Sequence, residues 1–300
     1  MARLTRRRFL TLTAMAALPL RAGAAVTEWR GTALGADAAI WLDHPDAPAI
    51  LALALAEIGR LEDIFSLYRA GSALSVLNRQ GRLDAPPFEL LECLALCGRV
   101  HAATSGLFDP TVQPLWQLYA ERFAAGAVPG EDEISAALDR VGMGRVRFDS
   151  EAVVLEAGMA LTLNGVAQGY VADRVAGLLA GQGLTDILID TGEFRALGGR
   201  PGGGGWPVGL QGGGEVSLRA RALATSAPLG TVFDVAGRVG HILHPVTGRP
   251  AAAVWQAVSI SAPSAALADA LSTAACLMED RATVEAMVAR FDGVRVEALV

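Results

Sequence analysis

Three observations predict an α+β fold in one compact unit over residues 25–300. Helical and alternating apolar patterns mix along the chain without strict βαβ order, and the pattern switches from helical to period two near Val146. No internal repeat or obvious linker divides the chain. Its 300 residues, 52% hydrophobic and 19% charged, are ample for a core and unlike a disordered chain or a coiled coil.

The elements follow in order. Residues 37–46 read as a strand and turn, and Ala47–Phe65 as an amphipathic helix with apolar positions at helical spacing. Phe88–Thr104 is a second helix, Gln113–Ala124 a third after Pro110, and Glu131–Val141 a short fourth. Val146–Phe148 and Ala152–Glu156 alternate as paired strands around a turn at Asp149-Ser150. Gly169–Gln182 is helical and Thr185–Asp190 a buried strand. Gly198–Gly205 holds six glycines in eight residues, which predicts a flexible loop that does not pack. Strands Pro207–Gln211 and Glu215–Arg221 flank Gly212–Gly214, and Val254–Ser261 is a further strand. Ala265–Met278 is an Ala/Leu-rich helix, Arg281–Arg290 another, and a strand ends the chain.

All 25 basic side chains are arginine, set against 31 acids for a net charge of −6. That balance excludes a general nucleic-acid binder, which needs a basic footprint. Residues 1–24 take five of the arginines and no acid, leaving 20 arginines against 31 acids in the remainder. The run Thr5-Arg6-Arg7-Arg8-Phe9-Leu10, a short apolar stretch and Ala22-Gly23-Ala24 have the form of a twin-arginine signal peptide over residues 1–24. An ordinary Sec signal is the competing reading. The apolar stretch is too short for a membrane span, which needs about 20 residues. Cleavage after Ala24 and a soluble periplasmic product are expected.

Cys93, Cys97 and Cys276 form no disulfide framework and are expected as buried thiols, with a metal or redox site as the alternative.

Four segments place polar residues and glycines among apolar ones. Thr162-Leu-Asn-Gly165-Val-Ala-Gln168-Gly169-Tyr-Val-Ala-Asp173-Arg174 carries a strand end into a helix, offering free N–H groups to an anion or simply packing a helix on a sheet. Neither the Gly-x-Gly-x-x-Gly fingerprint nor the Walker lysine motif occurs. Asp269, Ser272 and Thr273 share one face of an apolar helix. A carboxylate buried there needs a partner charge or a hard cation such as Mg2+. An exposed Asp near the helix start, with hydroxyls bonding back to the helix, is the alternative. His241-Ile-Leu-His244-Pro-Val-Thr247-Gly248 supplies a general base or two idle turn histidines. Phe65–Asn78 and Gly106–Val112 form the fourth, where Tyr68 either stacks on a flat ring or caps its helix against the core.

Together and in this order, from about Leu34 to Met278, these segments resemble the ApbE family of flavin transferases. The resemblance implies a two-lobed α+β fold with FAD in the cleft between lobes and Mg2+ across its diphosphate. It implies transfer of FMN to a threonine hydroxyl of a partner flavoprotein, with release of AMP. The metal would be held by the carbonyl of Gly165, the carboxylate of Asp269, and groups of Ser272 and Thr273. Leu34, Tyr68, Leu107, Phe108, Asp109, Thr162, Gln168 and Leu243 would contact FAD, and His241 would accept the threonine proton.

Four positions depart from the family pattern: Thr162 stands where an acid is usual, Gln168 where lysine is frequent, His244 where Asp is usual, and Ala227 where Gly is usual. The stretch around Gly165, with Asp190-Thr-Gly-Glu193, is most similar to the NosX branch linked to nitrous-oxide reductase maturation, whose recipient is the membrane flavoprotein NosR. The altered flavin contacts leave two other readings open: a non-catalytic periplasmic FAD carrier or assembly factor, and an FAD pyrophosphatase giving FMN and AMP.

Overall fold

The computed structural model describes residues 26–300, so the signal peptide expected over residues 1–24 lies outside the described residues. The chain opens with the hairpin β1 (Thr27–Ala33) and β2 (Ala36–Leu42), followed by α1 (Ala47–Phe65), α2 (Ala73–Gln80), β3 (Arg82–Asp84) and α3 (Phe88–Ala103). Next come α4 (Gln113–Ala124), α5 (Glu131–Leu138), β4 (Arg147–Phe148), β5 (Ala152–Val154) and α6 (Ala167–Gly181). Strands β6 (Ile187–Asp190), β7 (Phe194–Leu197), β8 (Trp206–Gly209), β9 (Glu215–Leu218), β10 (Ala222–Ser226) and β11 (Val258–Ala262) precede α7 (Ala265–Ala275), α8 (Arg281–Val288) and β12 (Arg295–Leu299).

Seven strands form an antiparallel sheet in the order β1-β2-β6-β7-β10-β11-β12. Strand alternation sends neighbours to opposite faces. On β2, Ala38, Ile40 and Leu42 join the main core, while Ala39 and Trp41 face the other way. On β6, Ile187 and Ile189 likewise oppose Leu188. One face is covered by helices through Ile58 and Leu61 of α1, Leu94 of α3, Val171 and Val175 of α6, and Leu271 of α7. The other is covered by the β8–β9 hairpin, which supplies Trp206, Val208 and Leu218. Two-sided burial explains why β6 reads as one continuous apolar run.

A second apolar centre joins α4 and α5 through Leu115, Tyr119, Ile134 and Ala137, with Leu243 inserted from the late loop. Phe233 closes it edge-on to Trp116 at 5.4 Å and beside Tyr119 at 5.5 Å. All three cysteines are buried free thiols, and burial pushes Cys276 above its ordinary pKa.

The structure corrects three local expectations. The glycine-rich stretch packs: a Cβ on Gly198 would lie 2.2 Å from Thr185 O, and one on Gly205 would lie 2.3 Å from Ser217 Oγ. Absent side chains there let backbones approach, and only Gly202–Gly204 stand in open space. The strand predicted from Val254 begins at Val258, because Val254 N–H turns back to Ala252 O and the Trp255 indole donates to Met278 O. Residues 222–226, unassigned by patterning, form the central strand β10, whose Ala-Leu-Ala-Thr-Ser sequence is poor in the branched and aromatic residues that mark strands.

Trp206 is buried, and its indole N–H has no hydrogen-bond partner among the described residues. Trp206→Ala is therefore expected to cost about 3–5 kcal/mol by opening a cavity beneath the sheet. Trp206→Phe is expected to cost far less, since it keeps a ring and removes an orphaned donor worth about 1–3 kcal/mol when buried. Urea unfolding midpoints of the two variants check the contrast; equal losses would contradict it.

Candidate functional site

The site begins where two helices meet. A Cβ on Gly169 of α6 would lie 2.3 Å from Ala265 O and 2.6 Å from Ala266 N, so only glycine lets α6 approach the start of α7 this closely. Gly169 N–H is also one of the free donors of the first turn of α6. It points at Asp269 Oδ2 at 3.3 Å, the one hydrogen bond given to that carboxylate among the described residues.

Asp269 is only 3% exposed, and burial pushes its pKa up to about 8. Glu193, in the turn between β6 and β7, is buried beside it and accepts Thr225 N–H at 3.1 Å. Burial first, and then the negative charge of Asp269, hold the Glu193 carboxyl well above its ordinary range. Two acids thus face each other in the core beneath a cluster of hydroxyls. Ser272 Oγ bonds Asp269 O at 3.0 Å and meets Ser226 Oγ at 2.7 Å, while Thr273 Oγ1 lies 3.3 Å from Ser226 Oγ. A Cβ on Gly165 would stand 3.0 Å from Thr273 Oγ1, which sets the glycine turn against the same helix. The four residues expected to hold a metal are therefore assembled in one place.

Their chemistry fits a hard cation. Asp269 is a buried carboxylate whose single bond is long, surrounded by hydroxyl and main-chain oxygens. Among the described residues, no three His, Cys, Asp or Glu side chains converge as a cage. Such a sparse oxygen set suits Mg2+, which dehydrates reluctantly and takes one or two carboxylates together with phosphate oxygens.

His241 sits across the same loop system. A Cβ on Gly240 would be 2.1 Å from Pro228 O, so the 226–228 segment that carries Ser226 lies directly against the histidine turn. His241 Nδ1 is 3.0 Å from Thr231 O. A carbonyl only accepts, so Nδ1 carries the proton in that bond and Nε2 is left as the accepting nitrogen, with the Pro228 carbonyl also acting on the buried ring. Burial pushes the His241 pKa below its usual 6.5. A neutral ring with an accepting Nε2 is the form a general base requires.

The residues expected to contact FAD fall into three groups. Leu34 forms the β1–β2 turn at φ 49°, its N–H donating to Glu62 Oε1 at 2.7 Å, and a Cβ on Gly35 would lie 3.8 Å from the Tyr68 ring. Tyr68 is 71% exposed, so it does not cap its helix against the core and its ring is free to stack. Leu107, Phe108 and Asp109 follow α3, and Thr162 N–H ties to them through Pro110 O at 2.8 Å. Asp109 spends its carboxylate internally on Thr111 N and Oγ1 and on Met143 N, so any ligand contact there falls to its main chain. The Gln168 side chain covers Gly192, and the Gln168 main-chain carbonyl accepts the Thr191 hydroxyl at 2.8 Å. Leu243 is buried in the α4–α5 core and shapes the wall behind the histidine turn.

Two members of the site, Glu193 and Ser226, carried no assigned role in the sequence reading. An acid in the short turn Asp190-Thr-Gly-Glu193, ahead of an apolar strand, is the signal for the first. The local signal for Ser226 is the Thr225-Ser226-Ala227 segment, which stands where the family usually has Ser/Thr-Ser-Gly, while its partners lie 46 and 47 residues away.

Known proteins are similar to this chain in sequence and fold. The FAD:protein FMN transferase of Treponema pallidum is 31% identical over 264 residues, covering 78% of this chain and 72% of that protein. The enzyme of that name from Escherichia coli K12 is 26% identical over 231 residues, covering 71% of this chain and 66% of its own. The crystal structure of the ApbE protein from Thermotoga maritima superposes with a TM-score of 0.80 at 27% identity, over 91% of this chain and 94% of that one. Pseudomonas stutzeri flavinyl transferase ApbE, in its apo form, gives 0.76 at 26% identity over 89% of each chain. The ApbE family pattern itself matches residues 27–298, and the chain belongs to that family.

Proposed function

We propose that this chain transfers FMN from FAD to a threonine hydroxyl of a protein acceptor and releases AMP. The observation that carries the reading is the buried Asp269 carboxylate, held by one long hydrogen bond beside the hydroxyls of Ser226, Ser272 and Thr273. The name shared by the Treponema and Escherichia relatives supports the donor and the protein acceptor. The signal-like residues 1–24 support export by the twin-arginine route, with a periplasmic or membrane-attached electron carrier, NosR-like in the NosX reading, as acceptor. Among the described residues, no helix is long and apolar enough to cross a membrane.

In the reaction, a bond forms from the threonine Oγ to the phosphorus of the FMN half. The bond from that phosphorus to the bridging oxygen breaks, and AMP departs with the electron pair. The hydroxyl proton goes to Nε2 of His241, which Thr231 O holds in the accepting tautomer. Asp269, the Gly165 carbonyl, Ser272 and Thr273 would hold Mg2+, which when bound neutralises charge on the phosphate oxygens. Leu34, Tyr68 and the 107–109 turn orient the flavin half. Positioning contributes most in phosphoryl transfer, where the protein supplies little covalent chemistry.

The assay is incubation of the chain with FAD, Mg2+ and a candidate recipient domain. The expected result is an FMN-sized mass increment on the recipient, with one AMP per event. FAD retained without AMP release would establish a carrier instead, and FMN with AMP in the absence of any recipient would establish hydrolysis.

Asp269→Asn is expected to lower transfer by more than about 100-fold, since loss of mere outer-shell support costs about 10–100-fold. Single-turnover rates at saturating FAD check this, and retention of full activity would remove the carboxylate from the site.

His241→Gln should slow transfer by about 10²–10⁴-fold while leaving FAD affinity intact. Because burial lowers the pKa of His241, the ring is already neutral at pH 7 and gains its proton only below pH 6.5. The rate is therefore expected to be flat near neutrality and to fall on the acid side, with that limb absent in the variant. A pH–rate profile checks the sign; an acid limb surviving in His241→Gln would assign it to another group.

A further inference from the structure

We infer that Asp173 is the positioning residue of this site. It sets the register between the helix carrying the glycine turn and the helix carrying Asp269, and so tunes the cation affinity of residues it never touches. The inference rests on the metal reading above and goes beyond it by assigning a residue outside the ligand set.

The first three N–H groups of α7 have no intrahelical partners, as in any helix. Ser264, the residue preceding the helix, accepts one of them, Leu267 N–H, at 3.2 Å. Asp173 takes the other two from a different helix: Oδ1 accepts Ala265 N–H at 2.9 Å, and Oδ2 accepts Ala266 N–H at 3.0 Å. The same Oδ2 accepts the Ser264 hydroxyl at 2.8 Å. Arg195 Nε, from β7, stands 3.0 Å from Oδ1 as a charged neighbour, without hydrogen-bond geometry. One side chain of α6 thus completes the end of α7.

Position decides what this does. Gly169 and Asp173 are four apart and share a face of α6. Gly169 presses on Ala265 and Ala266, the same two residues whose N–H groups Asp173 binds. On α7, Ala265, Asp269, Ser272 and Thr273 run down one stripe at spacings of four, three and one. The clamp at the first turn therefore fixes the rotation and height at which Asp269 meets Gly169 N–H and Thr273 meets Gly165. Without Asp173, two donors at the end of α7 need new partners, and the helix is free to roll or slide against α6. The carboxylate and the glycine turn then no longer share one cation position.

A cap elsewhere in the same chain provides the control. Asp280 accepts Thr283 N–H at 2.8 Å and Thr283 Oγ1 at 2.7 Å at the start of α8, on a separate helix from Asp269, Ser272 and Thr273 and, among the described residues, hydrogen-bonded to none of the proposed ligands. The experiment titrates Mn2+ into the full chain with saturating FAD and no acceptor protein, reading free Mn2+ by paramagnetic resonance, with thermal unfolding in parallel. Asp173→Ala is expected to weaken Mn2+ binding about 10–100-fold, the range for outer-shell support of metal ligands. Asp173→Asn, which keeps one accepting oxygen, is expected to lie between it and the unmodified chain. Asp280→Ala is expected to lower the unfolding temperature yet bind Mn2+ as the unmodified chain does. Mn2+ affinity within twofold of the unmodified chain in Asp173→Ala, or an equal loss in Asp280→Ala, overturns the inference and makes Asp173 an ordinary cap. If Asp173→Ala does not fold, Asp173→Asn decides by the same criterion. Failure of the unmodified chain to bind Mn2+ overturns the metal reading itself, and this inference with it.

Discussion

A carboxylate in an apolar core is the constraint around which this molecule is arranged. Asp269 lies within a helix otherwise rich in alanine and leucine, next to a second buried acid, and among the described residues no arginine pairs with either. Ionising both costs heavily in a medium of low dielectric, so the uncompensated pair is raised in pKa instead. A fold keeps such an arrangement when another charge arrives to complete it. Arg195 pairs with Asp173, and among the described residues no ion pair reaches Asp269. The hydroxyls of Ser226, Ser272 and Thr273 are oriented by one another and can solvate a cation, but they cannot neutralise two acids.

Close helix approach makes the arrangement geometric rather than merely local. Small residues let α6 and α7 come together: Gly169 on one, and Ala265, Ala266 and Ala270 on the other. β10 runs beneath with Ala222 and Ala224, so the layer under α7 is also thin. A helix pressed this close to its neighbours presents its polar stripe at a fixed depth. Bulkier residues would bury the same area at larger separation and leave the Gly165–Thr273 contact open.

How far the sequence discloses this differs from element to element. Strong periodicity makes α1, α4 and the run at Ile187–Asp190 plain, and one helix face holds Asp269, Ser272 and Thr273 by spacing alone. Strand β10 is hidden, because Ala222–Ser226 owes its place to being small under α7 and not to strand propensity. The glycine-rich stretch misleads for a related reason. Glycine signals freedom in sequence, yet Gly198 and Gly205 are there for close contact with Thr185 and Ser217. Motif order along the chain exposes the proposed metal cluster, whereas Glu193 joins it through a bond to Thr225 of β10 and Ser226 through a hydroxyl contact from β10 to α7.

The departures from the family pattern acquire physical sense from their hydrogen bonds. His244 stands where an aspartate is usual, directly before Pro245 in the turn that follows His241. Its Nδ1 accepts Val246 N–H at 3.1 Å and Thr247 N–H at 3.3 Å, the pair of bonds by which an aspartate carboxylate closes such a turn. With Nδ1 accepting, the ring proton sits on Nε2, and a neutral imidazole does the work of an anion. Thr162 follows the same logic at the other end of the site, its hydroxyl accepting Asn164 N–H at 3.3 Å where an acid would. Both side chains close their local turns without bringing a negative charge to the position. A donor that carries two negative charges meets less repulsion where two carboxylates are absent, and in the proposed metal reading Asp269 is the anionic ligand, supplied from within the core.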